Sequence, residues 1–150
     1  MNLTLNINGT DHSVEFSDGE LLLDVLRRLG LTSVREGCGV GACGSCTVLI
    51  DGHSVSSCLT LASRCENTEI QTSEGLGSSD LVVRAFIDAG ALQCGYCIPG
   101  FVMMTTELLA ENHHPDKQAI SDHLEGNICR CGTYPEIMNA VLAAISERDK

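Results

Sequence analysis

Two periodicities divide the chain. From Leu3 to Ile7 apolar and polar residues alternate with period two, a second short run of the kind covers 13–16, and Asn8-Gly9 lies between them. Alternation gives a strand one apolar face, and Asn-Gly tolerates the left-handed angles of a two-residue turn, so this stretch predicts a hairpin. Ser17 and Glu20 then make the S-x-x-E signature of a capping box, ahead of Leu22, Val25, Leu26 and Leu29 on one helical face, and Gly30 closes that helix. A second hairpin is predicted where Thr47–Ile50 and His53–Val55 flank Asp51-Gly52, and residues 68–72 read as another short strand. SEGLGSSD at 73–80 mixes Gly and Ser without apolar periodicity, as a linker would.

Past residue 80 the period becomes helical. Leu81–Ala89 begins one helix and Pro99 opens a second, running to about Asn112. Pro115–Glu125 forms a third, stopped by Gly126, and Pro135 opens a fourth with Met138, Val141, Leu142 and Ile145 on its apolar stripe. The expected class is α+β: a β-rich unit with one helix over residues 1–76, then a unit of four helices over 77–150.

Composition narrows the setting. With 43% hydrophobic residues, the 150-residue chain can bury the core of one domain or two compact ones. No apolar run approaches the roughly 18 residues of a membrane span, and MNLTLNINGT has neither the basic nor the apolar region of an export signal, so a cytoplasmic location is expected. A net charge of −11 argues against nucleic-acid binding, which needs clustered Lys and Arg.

Nine cysteines are out of place in such a chain. Their number is odd and the expected compartment is reducing, so metal or redox chemistry is a better explanation than disulfides. Eight fall into two sets: Cys38, Cys43, Cys46 and Cys58, then Cys94, Cys97, Cys129 and Cys131. Cys65 stands outside both and reads as a small buried hydrophobe. The first set, in EGCGVGACGSC, has the C-x4-C-x2-C spacing of plant-type [2Fe–2S] ferredoxins. Gly37, Gly39, Gly41 and Gly44 would let that loop turn its amides toward anionic sulfur. Structural zinc is the alternative, although zinc modules usually pair two C-x2-C knuckles. In the second set a C-x2-C precedes Pro99 and a C-x-C precedes Pro135, so two helix N-termini would converge on one anionic site. Spacing alone leaves zinc open there. A thioredoxin-like dithiol would leave the C-x-C unexplained, and a Rieske centre would need histidine ligands that neither pair has beside it.

EGCGVGACGSCTVLIDG, ALQCGYCIPGFVM and GNICRCGTYPEI, in this order, closely resemble the iron–sulfur subunit of the xanthine oxidase family of molybdenum hydroxylases. The resemblance spans nearly the whole chain. It implies a β-grasp ferredoxin-like domain followed by a four-helix domain, each with a [2Fe–2S] cluster. It also implies a large catalytic subunit with molybdopterin (or its dinucleotide) and a medium subunit with FAD. The helical-domain cluster would face the molybdenum centre and the other the flavin, while Gln93 and Cys131 would contact the pterin. CGTYPEI, where other members often read CTGY, leaves the ligands intact.

Eight thiolates on four irons leave no open metal position, and the five histidines read as solvated, so no catalytic residue is expected on this chain. Its expected role is conduction from molybdenum to FAD in a substrate hydroxylation that takes its oxygen from water. A free two-cluster ferredoxin is the competing reading, and a zinc-structured interaction module a third. Two oxidised clusters would bring the charge to about −15, with Arg130 a candidate counter-charge.

Overall fold

The computed structural model describes residues 2–150. Five strands, β1 (Asn2–Ile7), β2 (Thr10–Glu15), β3 (Thr47–Ile50), β4 (His53–Ser56) and β5 (Glu69–Gln71), form one mixed sheet in the order β2-β1-β5-β3-β4. Both predicted hairpins are present. Asn8 and Gly9 stand at φ 53° and 76°, Asp51 and Gly52 at 51° and 85°, the paired left-handed angles a right-twisted hairpin requires. The two hairpins meet through β5, which runs parallel to β1 and antiparallel to β3; Ile70 pairs with both Ile7 and Ile50 and is fully buried.

Helix α1 (Leu22–Arg28) shares a buried cluster with the sheet, its Leu22, Leu23, Val25 and Leu26 joining Leu5, Ile7, Val48 and Ile70. Each such side chain contributes about 1.5–3 kcal/mol on burial. The helix starts later than the capping box predicts. Glu20 does accept from the Ser17 amide (2.9 Å), but that bond closes a turn before the helix. Leu21 is drawn into an isolated bridge with Leu61, and the Leu22 amide donates to Thr60 O (2.8 Å), so the chain stays extended through 21.

Residues 73–80 are not the loose linker their composition suggests. They open with a short helix, α2 (Ser73–Leu76), whose Glu74 accepts from the amide and hydroxyl of Ser33 and from the Thr72 hydroxyl. Ser33 lies 41 residues away in sequence, which local composition cannot reveal. The second unit comprises α3 (Leu81–Asp88), α4 (Ile98–Glu111), α5 (Lys117–Leu124) and α6 (Tyr134–Arg148). Asp80 caps α3 by accepting from the Val82 and Val83 amides, and Asp116 caps α5 at Ala119, which is why α5 begins after Pro115. On α6 the buried stripe is Ile137, Ala140, Val141 and Ala144, while Met138, Leu142 and Ile145 are only partly covered. Small alanines take the centre because α3 packs closely there.

Candidate metal centres

Cys38, Cys43 and Cys46 lie on the loop between α1 and β3, and Cys58 on a 3-10 turn just after β4. The amides of Val40 and Ala42 donate to Cys38 Sγ (3.4 and 3.2 Å) and bring its thiol down to about 7. Cys43 adds a smaller stabilising contact to the same sulfur. Cys58 is pushed up to about 11, first by burial and then by Cys46 beside it. The sulfurs therefore associate as an outer pair, exposed Cys38 with half-buried Cys43, and a buried pair, Cys46 with Cys58. Gly39, Gly41 and Gly44 have the positive φ expected of them, whereas Gly37 provides space: a Cβ there would lie 2.7 Å from Cys43 Sγ.

The second set repeats this arrangement on helices. Cys97 is the N-cap of α4, and Cys129 Sγ lies 2.8 Å from the hydroxyl of Thr133, the N-cap of α6. Both helix N-termini thus meet at the Cys97–Cys129 pair, where their partial positive charge favours thiolate. Burial opposes charge on Cys129, but the Thr133 hydroxyl and amide outweigh it and hold the thiol at about 7. Burial pushes Cys97 up to about 12, with Cys129 adding to the effect. Cys94 and Cys131 form the outer pair, Cys94 being lowered first by the Tyr96 amide and then by Cys131. At the same outer edge exposed Gln93 donates from Nε2 to the Cys131 carbonyl (3.3 Å).

Among the described residues, no three of these sulfurs lie within 4.8 Å of one another. A single tetrahedral Zn²⁺ with bonds of about 2.3 Å would hold four sulfurs about 3.8 Å apart. A two-iron core instead takes two sulfurs per metal and spreads the pairs. Donor chemistry, amide donors and this spread all fit the second option.

The two sets share a cavity of about 210 Å³ lined by Cys43, Cys94, Cys97, Ile128 and Arg130. Beside it the Ile128 amide donates to the Cys43 carbonyl (3.0 Å), which joins one ligand loop to the residue preceding Cys129. Three contributors to this junction were not foreseen. Arg35 lies 5.2 Å from the ring centroid of Tyr96 and donates to Gly95 O, Tyr96 donates from its hydroxyl to Glu36 O (2.6 Å), and buried Asn127 reaches Gly44 O (3.4 Å). Tyr96, between two cysteines, had a positional signal; Arg35 and Asn127 had none.

Residues 5–76 match the family of 2Fe-2S iron-sulfur cluster binding domains, and 72–142 match the [2Fe-2S] binding domain. The small FeS subunit of nicotinate dehydrogenase from Eubacterium barkeri is 42% identical, covering 95% of this chain and 94% of that one. The xanthine dehydrogenase iron-sulfur-binding subunit of Escherichia coli O157:H7 is 44% identical over 91% of this chain and 89% of its own length. The chain belongs to the iron–sulfur subunits of the xanthine oxidase family of molybdenum hydroxylases. It carries two [2Fe–2S] clusters and is the electron-transfer subunit of an oxidoreductase. The β-grasp and helical fold is shared with quinoline 2-oxidoreductase from Pseudomonas putida 86, at TM-score 0.93 and 37% identity, over 99% of this chain and 96% of that one. Aldehyde oxidoreductase from Desulfovibrio desulfuricans ATCC 27774 matches at TM-score 0.93 and 41% identity, over 99% of this chain but 17% of that chain.

Cys65 is buried within the β-grasp core, and burial alone raises its thiol. Cys65→Ala should therefore retain both clusters and cost only about 1 kcal/mol, the effect of a small core cavity. Thermal melting and EPR of the two clusters check this; loss of either signal would show that the ligand sets are misassigned.

Proposed function

We propose that this subunit conducts electrons, one at a time, from a molybdopterin centre on a large catalytic subunit to FAD on a medium subunit. Cys94, Cys97, Cys129 and Cys131 hold the cluster that receives them, and Cys38, Cys43, Cys46 and Cys58 hold the one that passes them on. The boundary between the two cluster domains falls at 76/77, within the pinned segment, and the complex works in the cytoplasm; no helix among the described residues is long and apolar enough to cross a membrane. The observation that carries this reading is the approach of the two cysteine sets, with Cys43 of one and Cys94 and Cys97 of the other on one small cavity beside the Ile128–Cys43 hydrogen bond.

Bound clusters would supply one-electron storage; the chain's own residues orient and insulate them. Thr133 and the amides of Val40, Ala42 and Tyr96 stabilise charge on sulfur, which raises a cluster's potential relative to one without such donors. Gln93 and Cys131, joined at an outer edge, would contact the pterin. Apolar residues stand exposed at both ends of the path: Val40 and Leu59 beside the first set, Leu92 and Tyr134 beside the second. Two separate apolar rims suit two different partner subunits. Relatives named as small subunits of a nicotinate dehydrogenase and a nicotine 6-hydroxylase favour this reading over a free shuttle.

Gentle purification should yield about four irons and four acid-labile sulfides per chain, with two distinct EPR signals, together with molybdopterin and flavin subunits at fixed ratio. Two zinc ions per chain without sulfide would overturn the clusters. A cluster-loaded chain recovered without partners would overturn the subunit role.

A further inference from the structure

Away from both sulfur sets, β4, α4 and α5 bring four chemistry-bearing side chains together. His53 opens β4, Glu107 and Glu111 stand one turn apart on α4, and His123 lies on α5. His53 Nδ1 is 3.8 Å from Glu107 Oε1 and 3.7 Å from Glu111 Oε1, and these three donors lie mutually within 4.8 Å. The sequence predicts solvated histidines at 53 and 123; His53 is exposed as expected but stands beside carboxylates, whereas His123 is largely covered.

Glu107 is the unusual member, with a side chain only 8% exposed. A buried carboxylate is costly unless its charge is compensated. Its Oε1 accepts from the Ser54 amide (2.8 Å), but its Oε2 is buried and makes no hydrogen bond. His123 Nε2, also buried, faces that oxygen at 3.3 Å without hydrogen-bond geometry. A carboxylate and two imidazoles have thus been gathered beside a second carboxylate, and Glu107 Oε2 and His123 Nε2 are left buried without a hydrogen bond.

We propose that His53, Glu107 and Glu111 bind a first-row divalent cation of the Zn²⁺ class. Two carboxylates and a neutral imidazole are a borderline donor set, better suited to Zn²⁺ than to Mg²⁺, which prefers oxygen and retained water. Ligands about 2.0–2.2 Å from a tetrahedral metal lie about 3.4 Å apart, close to the separations found here. His123 would act as a positioning residue, its ring N–H turning toward the second oxygen of Glu107 as a histidine does outside a metal's ligand shell. The cation would tie β4 of the ferredoxin-like domain to α4 of the helical one. This site is independent of the proposed electron route.

The test uses the full chain with both clusters filled, so that its ligand cysteines are occupied. After mild chelation, Zn²⁺ is titrated by calorimetry, bound metal is counted by elemental analysis, and cluster absorbance is monitored throughout. The expected result is one Zn²⁺ per chain, with a rise in melting temperature, because the ion binds only the folded form. His53→Ala and Glu111→Gln should each weaken binding by at least about tenfold and abolish that rise. These side chains are 74% and 53% exposed, so both variants should fold with normal cluster spectra. No Zn²⁺ uptake by the parent, or undiminished uptake in either variant, overturns the proposal.

Discussion

In the assembled enzyme, Cys43→Ala should leave the helical-domain cluster reducible by substrate while the flavin stays oxidised. The block arises because Cys43 belongs to the outer sulfur pair of the first site, and no spare thiol accompanies that loop. Changes beyond a metal's ligand shell already cost about 10–100-fold, so removal of a ligand should slow flavin reduction by on the order of a hundredfold or more. Cys131→Ala should act one step earlier. Neither the surviving ferredoxin-domain cluster nor the flavin should then be reduced rapidly by substrate. Dithionite should still reduce whichever cluster remains, which separates a broken path from an unfolded chain. Rapid-freeze EPR and flavin absorbance follow both species in one anaerobic experiment. Rapid flavin reduction in the Cys43 variant would reject the proposed path, and an early block there with a late one in Cys131→Ala would reverse its direction.

That experiment rests on residues whose proposed roles are read from spacing, since a cluster loop is a local object. C-x4-C-x2-C with interleaved glycines describes its own geometry, and three of those four glycines do take positive φ. Hairpins are local for the same reason: Asn8-Gly9 and Asp51-Gly52 each carry their turn within two residues. What the sequence hid is contact between distant segments. The place of β5 between the hairpins depends on Ile70 meeting Ile7 and Ile50. The start of α1 depends on Leu61, and the order of residues 73–76 on Ser33. The junction between the sulfur sets is the extreme case. Asn127 and Gly44 are 83 positions apart, and neither carries a motif that announces the other.

The same junction gives the second large effect. Gly100→Ala should lower stability and slow electron transfer between the clusters while leaving both assembled. On helix propensity alone the change should gain about 1 kcal/mol, because glycine is the poorer helix former. Packing reverses that sign. Gly100 is buried on α4, and a Cβ there would lie 2.2 Å from the Gly44 carbonyl oxygen and 3.0 Å from Asn127 Nδ2. The oxygen cannot easily yield. It belongs to a residue at φ +71° between Cys43 and Cys46, and it already accepts from the Thr47 amide (3.2 Å) and hydroxyl (2.8 Å). Relief therefore requires α4 to move away from the ligand loop, which strains the Ile128–Cys43 bond beside it. Overpacking of this kind costs about 1–3 kcal/mol. In a chain of 150 residues melting as one unit that should lower the melting temperature by about 2–4 °C per kcal/mol. Gly126→Ala is the matched control, since a Cβ there meets nothing within 4 Å and should leave stability and transfer near parent values. Differential melting, with flavin reduction timed after substrate addition, compares the two variants. A melting temperature that rises in Gly100→Ala, with transfer unchanged, would show that the two domains do not depend on this close approach.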